Sequence, residues 1–131
     1  MRWWFAALAL LLPVVLTGCG SGQDEAVRER AAAFEDAVAS EDWAGACALL
    51  APETRTELEA AAKLPCAEAL AEESLPAPGT LERVDVFGTM AEVRYQGETV
   101  FLTKFADKWL LHAAGCTPQH PKPYDCALHG G

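Results

Sequence analysis

The sequence predicts an α+β domain in which N-terminal helices pack on one face of a curved four-stranded antiparallel sheet, with two disulfides. Three observations lead there. Apolar residues recur at helical spacing in the first part of the chain, they alternate beyond Pro76-Ala77-Pro78-Gly79, and four cysteines sit within the body of the sequence. At 131 residues, 51% of them apolar, the chain has the size of one compact domain.

The helical part comes first. Val27, Ala31, Phe34 and Val38 follow one another at spacings of four, three and four, with Arg28, Glu29, Glu35 and Asp36 on the other side. A helix over 24–40 follows from that pattern. Trp43, Ala46, Cys47 and Leu50 repeat the spacing in a second, short helix that stops before Pro52. Pro52 suits the first position of a third helix, which runs through Leu58 to Leu64 until Pro65 breaks it. Residues 66–74 have room for one or two further helical turns.

Four strands are predicted over 81–87, 90–95, 98–105 and 108–114, joined by Gly88-Thr89, Gln96-Gly97 and Ala106-Asp107 as hairpin turns. Alternation sorts their side chains into two sets. Val84, Val86, Ala91, Val93, Tyr95, Phe101, Phe105, Trp109, Leu111 and Ala113 form the apolar face, while Arg83, Asp85, Glu92, Arg94, Lys104 and His112 take the other parity. A hollow between helices and sheet would then be lined by Phe34, Val38, Val93, Phe101 and Trp109, with no ionisable pair in it. The tail 115–131, rich in Pro and Gly, shows no period and is expected to be irregular.

The N-terminus reads as an export signal. Arg2 precedes an apolar run of about a dozen residues, too short to span a bilayer, which needs roughly 20. The residues Leu16-Thr17-Gly18-Cys19 resemble the lipobox of bacterial lipoproteins. That resemblance implies removal of 1–18, a fatty-acylated Cys19, a short tether over 19–23 and a domain over 24–131, held on the extracytoplasmic face of a cell membrane. Two or three acyl chains anchor a protein stably where one is marginal.

Charge narrows the partners. The chain has 10 basic and 19 acidic residues, and no basic run tracks a phosphate backbone, so nucleic acid is not an expected partner. An acidic domain is also not drawn electrostatically to anionic lipid, so attachment must be covalent or inserted. Apart from Cys19, the cysteines are Cys47, Cys66, Cys116 and Cys126, an even number in an exported domain, where disulfides persist. Three pairings are possible; closeness along the chain favours Cys47 with Cys66 and Cys116 with Cys126. No C-x-x-C or H-x-x-x-H spacing marks a metal site, and no cofactor motif is present.

The residues Ala39-Ser40-Glu41-Asp42-Trp43, Ala46-Cys47, Cys66, Trp109, Ala114-Gly115-Cys116 and Pro123-Tyr124-Asp125-Cys126 resemble those of small actinobacterial lipoproteins. More distantly, the chain is similar to the cone-shaped α+β superfamily named after nuclear transport factor two. That resemblance implies a cone whose hollow serves as a binding site or houses isomerases, cyclases and dehydratases. Such enzymes need an acid/base group within reach of the substrate. Here the inward strand positions read as apolar, which favours a non-catalytic protein binding a small apolar ligand or an envelope partner over a cavity isomerase, cyclase or hydrolase, with a structural accessory subunit as the third class.

Individual polar and aromatic residues fit that view. His112 with Asp85 or Glu92 has the composition of a general base, yet cross-strand pairing on a solvated face accounts for the same residues. Asp36 lies on the polar side of its helix. Trp43 and Trp109 sit in apolar series that suit a core, and His120, Lys122, Tyr124 and His129 gather in the tail, where a partner could meet them.

Overall fold

The computed structural model describes residues 21–131, so Cys19 and the export signal lie outside the described residues. The first helix, α1 (Ser21–Ala39), includes Ser21, Gly22 and Gln23, three residues ahead of the expected helix start. It ends where Glu41 takes a positive φ of 58° and the Asp42 amide donates to the Ala37 carbonyl at 2.8 Å. Asp42 then caps α2 (Trp43–Ala48), its carboxylate accepting from the Gly45 amide at 3.0 Å. Pro52 opens α3 (Pro52–Ala62), and Lys63 closes it in the left-handed conformation. The expected further turns form α4 (Cys66–Glu72).

The sheet has five strands, one more than the sequence predicts: β1 (Leu81–Phe87), β2 (Met90–Tyr95), β3 (Thr99–Phe105), β4 (Lys108–Gln119) and β5 (Lys122–His129). They pair as an antiparallel meander in chain order. The tail expected to be irregular is thus the end of β4 and the whole of β5. Its composition hides this, because only Leu128 of β5 is buried and the end of β4 beyond Cys116 is exposed.

Both disulfides pair as expected. Cys47–Cys66 ties α2 to α4 inside the helical layer, and Cys116–Cys126 joins directly opposed residues of β4 and β5. The first half of β4 does not lean on β5. Its exposed edge is covered by the α2–α3 connection, where Leu111 donates to the Leu49 carbonyl and Ala51 donates to the Leu111 carbonyl, each at 2.8 Å.

The core lies between α1, the shorter helices and the inner sheet face. Phe34, Leu70, Val93, Val100, Leu102 and Leu111 are buried at its centre, each stabilising by roughly 1.5–3 kcal/mol relative to an exposed side chain. On β3 the parity is the reverse of the sequence reading. Val100 and Leu102 oppose Val93 and Ala91 on the inner face, whereas Phe101 opposes Glu92 on the outer one and stacks edge-on against Tyr124 at 5.1 Å. Phe105 follows it outward and is 40% exposed, while Lys104 turns inward over the rim, its ammonium 5.8 Å from the Trp109 ring. Both parities of β3 are apolar, so alternation alone does not choose between them. The helix packed above selects the more compact Val and Leu. A register shift where β4 meets Phe101 reverses the parity of β4 at His112, so Leu111 and Ala114 both enter the core while Ala113, expected on the inner face, opposes Phe101.

Candidate functional site

Of the five residues expected to line a hollow, Phe34, Val93 and Trp109 are buried in one continuous packed cluster, and Val38 is half-buried at its margin. Phe101 is on the other side of the sheet, so the five do not form one site. A buried ionisable pair lies outside this set of residues. Glu35 and Glu98 are buried, at 8% and 5% exposure, where α1 passes the β2–β3 turn.

The local chain explains how two carboxyls come to lie there. Glu35 follows Phe34 on α1 and takes the polar side by periodicity, yet the linker 75–78 folds over it. Glu98 sits just before β3, in the tight turn where Tyr95 donates to the Glu98 carbonyl at 2.8 Å. Gly97 in that turn donates to the Pro78 carbonyl, and a side chain at this position would strike the Ala77 carbonyl oxygen, so the linker seats on the hairpin only with glycine here. The Glu98 carboxylate accepts from the Gly115 amide at 2.7 Å. Gly115 has a φ of +65°, and a Cβ on it would press on Ala127 and Leu75.

Burial disfavours the charged form of both acids. Glu35 is pushed from 4.5 up to about 9, first by burial and then by the charge of Glu98. Glu98 is also raised by burial, but its bonds from Glu35 and the Gly115 amide oppose the rise. Glu35 therefore keeps its proton at neutral pH, and its bond to Glu98 partly offsets the rise that burial imposes on Glu98. Tyr95 beside them is pushed up to about 12 by burial and by the neighbouring carboxylates. Glu35 borders an open groove of about 230 Å³ with Val38, Leu75, Pro76 and Pro78, yet its Oε1 is shut off from solvent and lacks a hydrogen-bond partner among the described residues.

A larger recess lies on the outer face. Beyond Thr117 the β4–β5 hairpin rises past the sheet edge and turns at a cis His120-Pro121 bond. Beneath it opens a groove of about 460 Å³ lined by Arg94, Pro118, Gln119, His120, Lys122 and Tyr124. Arg94 binds Glu92 at 2.7 Å, and the Tyr124 hydroxyl approaches the same Glu92 oxygen at 3.5 Å. A second recess of about 320 Å³ shares Arg94 and Pro118 and extends to Glu98.

The structure thus brings His120, Lys122 and Tyr124 of the tail to Arg94, while His129 lies at the other end of β5, opposite Ala113. No hydrogen bond or ion pair joins His112 to Asp85, Glu92 or Asp36 among the described residues; the His112 carbonyl instead accepts from Thr54 Oγ1 at 2.7 Å. Asp85 binds Arg83 at 2.7 Å on the outer face. Trp109 is core, and Trp43 is half-buried against it. Sequence reasoning missed Glu35 and Glu98, because the spacing of an amphipathic helix says nothing of a linker that later covers its polar edge. Compared with known proteins, the chain matches no protein-family model, no curated protein and no solved structure.

Proposed function

We propose that this protein is an extracytoplasmic lipoprotein, anchored through Cys19, whose domain binds a small ligand and is not a catalyst. The observation that carries the binding reading is the outer groove of about 460 Å³, a volume within the range of small-molecule sites, set beside an interior packed with side chains. Lys122 and Arg94, the latter held in place by Glu92, line the groove in a chain of net charge −9, and Tyr124 offers a ring face. A molecule with one acidic group and one flat apolar part suits these groups. The expectation of a purely apolar ligand gives way to this one, since Phe34, Val93 and Trp109 are packed in the core and Phe101 faces the other side of the sheet.

One observation favours the cavity-enzyme alternative, the protonated Glu35 beside Glu98. Against it, a general acid must reach its substrate, and the Glu35 Oε1 atom is enclosed.

Two measurements test the proposal. In cells fed a fatty-acid analogue, the wild type takes up label and Cys19→Ala does not; equal label in both removes the anchor. In a nuclear magnetic resonance titration with benzoate and indole-3-acetate, the amides of Arg94, Lys122 and Tyr124 shift, and Arg94→Ala weakens binding by about tenfold, the loss of one charge-assisted contact. Shifts that survive Arg94→Ala unchanged, or that fall elsewhere, overturn the site.

A further inference from the structure

We infer that the turns β1–β2 and β3–β4 form a membrane-seating tip, whose Phe87, Met90 and Phe105 dip into the lipid headgroup region beside the anchor; this rests on the lipoprotein reading of Cys19. Three independent features of the molecule meet at this end.

The first is direction. The meander places the turns 88–89 and 106–107 at one end of the sheet, and the turns 96–97 and 120–121 at the other. Helix α1 runs along the sheet with Ala26, Glu29, Arg30 and Ala33 beside Asp107 and Trp109, and with Glu35 near Glu98 at the far end. Its start at Ser21 therefore lies at the end of the β1–β2 and β3–β4 turns. Ala26 is about 8 Å along the helix axis from Ser21, at 1.5 Å per residue. Cys19 is two residues before Ser21, a span of at most about 7 Å. An acylated Cys19 thus holds this end of the domain against the bilayer surface, and a modest lean about so short a link brings both turns onto it.

The second is apolar exposure. Phe87 at 64%, Met90 at 40% and Phe105 at 40% are the large apolar side chains exposed among the described residues, and all three stand at these turns. Phe87 and Met90 are directly opposed, and Thr89 accepts from the Lys104 amide, which binds the two turns into one tip. Scattered exposed apolar residues need no explanation, but three gathered at the anchored end do. Aromatic and apolar side chains of a surface-bound protein sink about 5–10 Å into the headgroup boundary.

The third is charge. The first ten residues of α1 and the two turns with the strand ends beside them contain Arg28, Arg30, Lys104 and Lys108 against Asp24, Glu25, Glu29 and Asp107, an even balance. The remainder of residues 19–131 has five basic against fifteen acidic residues. The end that would meet anionic headgroups is therefore the one end they do not repel, and Lys104 and Lys108 can keep their ammonium groups in water while their stems lie along the apolar surface.

The test uses the full chain, processed in cells and reconstituted in vesicles of neutral and anionic phospholipid, with a photoreactive phenylalanine analogue placed at Phe87, Phe105 or, as control, Gln96 in the opposite turn. Lipid adducts at 87 and 105 about tenfold above those at 96 are expected, given insertion of only the tip. Mass spectrometry of the Cys19 peptide is read in the same sample. Acylated Cys19 with adducts absent, or equal at all three positions, overturns the seating while leaving the anchor intact. An unacylated Cys19 overturns the lipoprotein reading and the seating with it. All three positions are exposed, so the substitutions leave the packing of the fold untouched.

Discussion

Replacing Cys47 and Cys66 together by alanine is expected to lower the unfolding free energy by ~3 kcal/mol, and the loss falls on a domain whose total stability is about 5–15 kcal/mol. The bridge closes a loop of 19 residues between two short helices, of six and seven residues, that could not persist by themselves. Both sulfurs are buried, at 5% and 2% residue exposure, so the variant also loses packing that alanine does not restore. The Cys116→Ala, Cys126→Ala pair is expected to cost less, because its loop of 10 residues is already held by the β4–β5 ladder. Its effect should be local, loosening the arm above Arg94. Urea unfolding of the two variants against the wild type, with a thermal melt as a second probe, decides the order. A larger loss from the tail bridge would mean that the helical layer is held chiefly by its apolar contacts.

Mild acid is expected to stabilise the domain, and Glu35→Gln is expected to abolish most of that dependence. The native state keeps a proton on Glu35 up to about pH 9, whereas the unfolded chain releases it near pH 4.5. Between those values the native state binds more protons than the unfolded one, so stability is full below about pH 4.5 and declines as pH rises toward 9. Glutamine is uncharged at every pH and can donate its amide to the Glu98 carboxylate in place of the acid proton. The variant should therefore gain ~2 kcal/mol at pH 8, or roughly 10 °C in melting temperature, and little at pH 4.5. Melts of both proteins at pH 4.5, 6, 7 and 8.5 measure it. Parallel curves for wild type and variant would show that Glu35 ionises in the native state at its ordinary pH.

This pair also bears on what the domain does. A neutral acid locked between helix and hairpin ties α1 to the β2–β3 turn and to Gly115, which sits one residue from the Cys116–Cys126 bridge at the base of the outer arm. The recess of about 320 Å³ runs from Glu98 to Arg94 and Pro118, which also line the ligand groove. Loss of the Glu35 proton at alkaline pH is expected to be felt first in the arm.

Local sequence determined most of the architecture. Helical spacing in α1, proline at the start of α3 and the turn residues of the first three hairpins each act within a few positions, so each is readable without knowledge of the rest. The cysteine pairing was readable for the same reason, as both bridges join near neighbours. The fifth strand was not, because β5 is ordered by the ladder to β4 and a disulfide rather than by an apolar stripe of its own. Nor was the face of Phe101: β3 is apolar on both sides, and only the helix above it and the Tyr124 ring beyond it divide the two. Tertiary structure alone decided the fate of Glu35 and Glu98. Neither residue departs from its local pattern; what sets them apart is the linker 75–78, distant in sequence from both, which seats on the turn at Gly97 and removes the water that would otherwise keep two carboxylates charged.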